Sequence, residues 1–394
     1  MKESRLYGTA DFEKFYQLYL YVFNAPDESR RRQYFFERCQ HGLVYGIQTD
    51  KKMTSALYSL PFQIDFHGRQ FAMNGIGDVA TAPESAGQGG AGKLLQSALD
   101  EMSINRVTLS YLAPFSYEYY RKFGYEQVFN HIKYTVKNTA VPRFTPQQRQ
   151  GRVVRGKLAE NLPAVAQFYE RQAKKGLKGG LLREAWWWNY LPLKNNWSVG
   201  IYYDDYDLVQ GYVIYELSTT ELVVKELLVE TTAAFEHLVK FIFNHQNTVR
   251  QLVFDAPDPR YHGDWLLDPE KVNAEILPYM MVRIVDLYDF LHRYPYVKAE
   301  FGPIIFGVVD QSLPQNSGVW EISATGGVVQ VKQNLHQTVE PENQITIQEL
   351  TKALFGSERL TNIVFSGKAH LKAETVSQLM EVLVNEPPEL VDYF

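Results

Sequence analysis

The chain has 394 residues, 45% hydrophobic and 22% charged, the make-up of a globular protein with room for two or three cores. Its formal net charge of −5 offers no basic excess for non-specific nucleic-acid binding, and a mildly acidic surface suits a cationic substrate. Cys39 is the single cysteine, so no disulfide forms within the chain; the start, MKESRLYGTADFEKF, lacks an apolar signal core, and no run reaches transmembrane length, so a cytoplasmic protein is expected.

Residues 10–23 carry apolar side chains at helical spacing behind Asp11 as candidate N-cap, and residues 29–39 read as a second helix. Residues 43–49 and 54–66 read as strands, His67-Gly68-Arg69-Gln70 as a turn, and residues 71–76 resume the sheet. A β-rich stretch, Asp78-Val79-Ala80-Thr81, then runs through Pro83 into a loop with Gly87, Gly89, Gly90 and Gly92. An amphipathic run with Leu94, Leu95, Ala98 and Leu99 at helical spacing follows. Strand, glycine loop and helix make a phosphate grip, because the first amides of a helix have no intrahelical acceptor, the dipole there favours an anion, and glycine lets the backbone approach closely.

The ligand is narrowed by what is missing. Lys93 lacks the preceding spacing and the following Ser or Thr of a Walker loop. Gly87-x-Gly89-x-x-Gly92 has the spacing of a dinucleotide fingerprint but lies well inside the chain rather than opening a βαβ unit. An ordinary glycine-rich turn remains the alternative. The stretch resembles the acetyl-CoA loop of the GNAT acetyltransferase superfamily: Val-x-Thr-x-Pro, a glycine cluster, a Leu-rich helix. Ala86 departs from the Arg or Gln usual there, which removes one side-chain contact and leaves the amides.

Residues 107–112 read as a strand, followed by Tyr120-Arg-Lys-Phe-Gly-Tyr125, which matches the superfamily's Y-x-x-x-G-Y/F segment. There a short helix ends at glycine, the chain returns as a strand, and the first Tyr faces the thioester. Taken alone, a helix C-cap at Gly124 with aromatic packing explains the segment equally well; paired with the glycine loop, the catalytic reading is preferred. The polar stretch 136–151 marks a domain boundary. Beyond it, a helix at 158–175, strands at 197–203, 208–217 and 221–229, a helix at 232–245 and a strand at 249–254 repeat the GNAT order without a second glycine loop. Trp186-Trp187-Trp188 reads as a helix anchored in a core. Met280-Met-x-Arg-Ile-x-Asp286 opens the last part, where strands near 302–310, 318–322 and 328–332 precede helices near 346–355 and 373–383, an α+β pattern. The aromatic terminus, Tyr393-Phe394, looks made for burial.

Together these features resemble the Eis (enhanced intracellular survival) family over the whole chain. The marks are the Val79–Leu95 loop, the Tyr120–Tyr125 segment, the Met280 motif and Phe394. The resemblance implies an α+β fold: two tandem GNAT-like domains, 1–145 with the acetyl-CoA site and 146–286 without a cofactor loop, then a sterol-carrier-protein-like domain, 287–394. It implies N-acetylation of amines, aminoglycosides among them in some members, and a homohexamer. It places the pantetheine arm on Val79, Ala80 and Thr81, the pyrophosphate on Gly87, Gln88, Gly89, Gly90, Ala91 and Gly92, and the rest of the cofactor site at Phe115 and Ser116. Tyr120 matches the family's general acid and the α-carboxylate of Phe394 its general base, with no metal.

The chemistry agrees with those roles. A thiol of pKa about 8.5 leaves, so a neutral tyrosine of pKa about 10 can protonate it near pH 7. An alkylamine of pKa about 10.4 must shed a proton, which a carboxylate can attract and accept. The expected function is acetyl transfer to a primary amine of a cationic small molecule, aminoglycoside- or polyamine-like. Lysine Nε-acetylation of proteins or peptides, or a non-catalytic lipid- or partner-binding role, are the alternatives.

Overall fold

The computed structural model describes residues 2–142, 145–147, 151–263, 269–334 and 340–394; residues 143–144 and 148–150 of the expected linker lie outside the described residues. Its contacts form two compact units: Met1–Phe129 with Tyr279–Pro388 and Asp392–Phe394, and Asn130–Pro278 with Glu389–Val391.

In the first unit, strands Lys2–Leu6, Leu43–Thr49, Lys52–Phe66 and Arg69–Thr81 pair antiparallel in chain order. Leu109–Leu112 joins Arg69–Thr81 in parallel, and Met281–Ile284, the end of strand Val272–Ile284, pairs antiparallel with Leu109–Leu112. The Met280 motif therefore joins this sheet rather than opening the last part of the chain. Residues 71–76 and 78–81, expected as separate pieces, are one strand. Its pairing slips where Tyr58 faces Gly77 and Ala56 faces Ala80, leaving Leu57 opposite both Asp78 and Val79, and Asp78 sits at φ 46. That is a β-bulge, which bends the strand locally.

Helix Gly90–Ile104 carries the chain between the two parallel strands and buries Leu94, Leu95, Ala98, Leu99 and Met102. Each large side chain contributes about 1.5–3 kcal/mol on burial. Helices Thr9–Val22 and Ser29–His41 bury Phe15, Tyr16, Tyr19 and Phe35, whose rings pack at 5.0–5.1 Å for Phe15–Phe35, Tyr16–Phe35 and Tyr19–Phe35. The same unit holds a second sheet, ordered Val328–Asn334, Gly318–Thr325, Phe301–Val309, Gln344–Thr346, with helices Leu287–Arg293, Ile347–Leu354, Leu360–Phe365 and Ala373–Val382.

The second unit repeats the motif. Strands Glu221–Val229 and Gln251–Ala256 run parallel, joined through helix Thr232–Phe243, with Val209–Leu217, Ser198–Tyr203 and Arg152–Lys157 beyond Glu221–Val229 and Ile132–Lys137 beyond Gln251–Ala256. Trp187 and Trp188 on helix Ala185–Lys194 are buried, as a core anchor requires. Among the described residues no helix is long and apolar enough to cross a membrane.

Candidate active site

The parallel pairing of Arg69–Thr81 with Leu109–Leu112 runs from Met73 to Ile76 and stops. The longer strand continues through the bulge to Thr81, held on one edge by Ser55 and Ala56. Among the described residues its other edge has no strand partner there, which leaves main-chain groups around Val79 and Thr81 for a ligand. Val79 packs against the cluster that holds Leu94 and Tyr120; Ala80 is buried, and Thr81 Oγ1 lies 3.0 Å from Ser55 Oγ.

The loop then turns through Pro83–Ser85, with Gly87 at φ 77 and Gly89 at φ 78, values that favour glycine. Lys93 N–H donates to Gly89 O at 3.0 Å, the helix's first bond, so the amides of Gly90, Ala91 and Gly92 precede any intrahelical acceptor. A Cβ at Gly90 would stand 2.3 Å from Ser55 Oγ, and one at Gly92 3.2 Å from the Phe123 ring. Those two glycines bring the helix start against the sheet and against the Tyr120 segment. Gln88 is exposed and donates from Nε2 to Glu84 O at 3.3 Å.

The second unit offers the contrast. Its corresponding helix starts at Thr231, whose hydroxyl oxygen accepts from Ala234 N–H at 3.2 Å, directly after Glu230, a carboxylate bridged to Lys175 and Arg171. A side-chain cap stands there, where the first unit's helix start has none among the described residues.

Helix Tyr117–Arg121 is capped by Ser116, whose Oγ accepts from Tyr119 N–H at 3.3 Å. Ser116 thus shapes the helix as an N-cap. Phe115 is exposed, its ring 5.3 Å from that of Tyr120. Tyr120 is 2% exposed, packed with Leu94, Leu95, Ile76 and Tyr125, and its hydroxyl makes no hydrogen bond among the described residues. Burial pushes its phenol well above the ordinary tyrosine range. Burial thereby favours its neutral O–H form.

Phe394 is 4% exposed and lies over the preceding residue of the same strand, Gly75, where a Cβ would stand 2.5 Å from its ring. Phe62 flanks it at 5.5 Å. Neighbouring strand residues point to opposite faces. Ile76 belongs to the Tyr120 cluster and Gly75 faces Phe394, so Tyr120 and Phe394 flank one strand from its two faces, at the point where its parallel partner ends.

Sequence reasoning missed the groups that shape the Phe394 face. The Tyr58 ring fills the space a side chain on Gly77 would need, its hydroxyl 2.2 Å from that Cβ position. Buried Arg38 donates from Nη1 to that hydroxyl at 2.8 Å and pairs through Nη2 with Asp78 Oδ2 at 2.7 Å, tying the bulge to helix Ser29–His41. The signal available was Gly75-x-Gly77 inside a strand, which marks close approach on one face. Among the described residues no cluster of His, Cys, Asp and Glu has the arrangement of a metal site.

Residues 3–128 match the acetyltransferase (GNAT) domain, 179–284 a second acetyltransferase (GNAT) domain model, and 287–391 the sterol carrier protein domain. No curated protein matches the sequence. Among solved structures, a conserved Enterococcus faecalis protein described as a probable N-acyltransferase is 30% identical, with 100% of this chain and 99% of that one covered and a TM-score of 0.92. A GCN5-related N-acetyltransferase from Anabaena variabilis (20% identity, 100% of both chains, TM-score 0.87) and Eis1 from Mycobacterium abscessus (17%, 100% of both, 0.80) share the fold. The chain belongs to the GNAT acetyltransferases, in the Eis-like arrangement of two tandem GNAT domains followed by a sterol-carrier-protein domain.

Proposed function

We propose that this N-acetyltransferase transfers the acetyl group of acetyl-CoA to a primary amine of a cationic small molecule, aminoglycoside- or polyamine-like. The observation that carries the reading is one strand with an open edge, leading into bare helix-start amides, flanked by Tyr120 on one face and Phe394 on the other. The amides of Gly90, Ala91 and Gly92 suit a pyrophosphate. Gly87, Gln88 and Gly89 form the loop leading into them, and the edge at Val79, Ala80 and Thr81 suits the amides of a pantetheine arm. Phe115 and Ser116 border the same cluster beside Tyr120.

Acetyl-CoA supplies an activated acetyl thioester. Strand N–H groups at the open edge can hold its carbonyl oxygen. Tyr120, kept neutral by burial, gives its proton to the leaving sulfur. The Phe394 α-carboxylate draws in the ammonium and takes the proton the amine must lose. Acid and base both come from the chain, without a metal. The net charge of −5 favours a cationic acceptor.

The domains we assign are 1–145, 146–286 and 287–394, in a cytoplasmic homohexamer; light scattering that reports a monomer at micromolar concentration would reject that assembly. The substrate class is tested by offering polyamines, aminoglycosides and lysine peptides together with acetyl-CoA and identifying products by mass spectrometry. Acetylated peptide alone would move the assignment to protein lysine acetylation.

A further inference from the structure

Arg283 is the arginine of the Met280 motif, which the proposed chemistry does not use. It is wholly buried, on strand Val272–Ile284, opposite Ser110. Its Nη2 donates to Asp310 Oδ2 at 2.6 Å and to Ser312 Oγ at 3.2 Å. Its Nε and Nη1 are buried with no hydrogen-bond partner among the described residues. The guanidinium instead lies against Gly124: a Cβ there would stand 2.6 Å from Cζ and Nη1 and 2.8 Å from Nε.

Gly124 ends the helix that carries Tyr120. It sits at φ 81; its N–H donates to Arg121 O at 3.0 Å, and Phe123 N–H donates to Tyr120 O at 3.0 Å. The guanidinium therefore backs the turn that fixes Tyr120. Asp310 is held in turn by the N–H groups of Ser312 and Leu313 and by Asn316 Nδ2. The third domain meets the first at several points. Leu313 belongs to the Tyr120 cluster, Gln96 on the glycine-loop helix donates to Ser312 O at 3.0 Å, and Gln348 donates to Arg121 O at 2.9 Å.

A buried ion pair is weak evidence for stability, since desolvation offsets its attraction and apolar replacements are often as stable. Its specific value is geometric. We infer that Arg283, clamped by Asp310 of the sterol-carrier-protein domain, is a positioning residue for acetyl transfer, holding Gly124 and through it the hydroxyl of Tyr120. The inference rests on Tyr120 being the acid. It makes the third domain part of the acetyl-transfer machinery, whatever else that domain binds.

The test is a cycle in the full-length chain. Arg283→Met/Asp310→Asn removes both charges, and Arg283→Lys keeps the charge for Asp310 while removing the planar group behind Gly124, which guards against a misfolded double variant. Each is made with Tyr120 and with Tyr120→Phe, and kcat, KM and acetyl-CoA affinity by calorimetry are measured. We expect kcat to fall about ten- to hundredfold, as for a misplaced reacting group, with acetyl-CoA affinity within twofold. In the Tyr120→Phe background no further loss is expected, because the effect acts through that hydroxyl. An equal fold-loss in both backgrounds, or unchanged kcat in a folded variant, overturns the inference. If Tyr120→Phe alone leaves kcat unchanged, the acid assignment has failed instead.

Discussion

The ring of Phe394 occupies the space a side chain on Gly75 would need, 2.5 Å from the position of its Cβ. Phe394 is thereby fitted to one strand position, the one beside Ile76 of the Tyr120 cluster. Gly75→Ala leaves the strand backbone acceptable but pushes the ring away. Overpacking of this kind costs about 1–3 kcal/mol. Turnover is expected to fall at least tenfold while acetyl-CoA affinity stays unchanged, because the cofactor edge lies elsewhere on the strand. Normal turnover in Gly75→Ala would show that the seat of Phe394 does not matter to the reaction.

Gly89→Glu separates cofactor binding from folding. At φ 78 the new residue meets a left-handed strain of about 1–2 kcal/mol, but among the described residues nothing lies within 4 Å of its Cβ, and a carboxylate suits a helix start. The variant should fold and lose at least about tenfold in acetyl-CoA affinity, a change of about 1.4 kcal/mol or more, because the new charge faces the pyrophosphate. Calorimetry showing unchanged affinity would remove the glycine loop from the cofactor site.

What could be read in the chain was what is local. The glycine loop, the helix behind it and the Tyr120–Gly124 turn each depend on residues within one short stretch, and backbone geometry follows from them directly. The bulge at Asp78 was not legible, since its side-chain partner Arg38 lies forty positions earlier and nothing near Asp78 announces it. The two-residue alternation of Gly75 and Gly77 did carry a signal for a close approach, but not for what approaches: Tyr58 and Phe394 come from distant parts of the sequence. Likewise Arg283 reads as a motif arginine, and only the fold places it behind Gly124. The unpaired strand edge is a property of where two strands stop, which no single segment contains.

Tyr120→Phe should retain acetyl-CoA affinity and lower kcat about a hundredfold or more, the scale of general-acid catalysis. The pH dependence sharpens the test. Burial raises the phenol's pKa above the ordinary value of about 10, so the protonated acid form persists up to and beyond that pH. No alkaline fall in kcat below about pH 9 should trace to this group. An alkaline limb centred lower that vanishes in Tyr120→Phe would show that the hydroxyl ionises in the working range and is not a buried neutral acid.

The carboxylate of Phe394 is tested by moving it without disturbing what holds it. The ring is seated on Gly75 and Phe62, and the preceding backbone is fixed where Tyr279 donates to Asp392 O at 3.2 Å, with the Tyr279 and Tyr393 rings 5.9 Å apart. These contacts do not involve the terminal charge. One glycine added after Phe394 therefore keeps the apolar docking and carries the negative charge a residue further on, up to about 3.6 Å of chain. If docking were the terminus's whole role, the extended enzyme would behave as wild type. If the carboxylate is the base, proton transfer fails for want of reach, since the acceptor must lie within about 2.6–3.2 Å of the proton's donor atom or one water away. The expected result is a loss in kcat of about a hundredfold, with Tm and acetyl-CoA affinity unchanged. The loss should shrink as pH is raised toward the amine's own pKa of about 10.4, where the acceptor arrives already neutral. A glycine-extended enzyme with normal kcat at pH 7 would assign the base to an acidic side chain or a water instead.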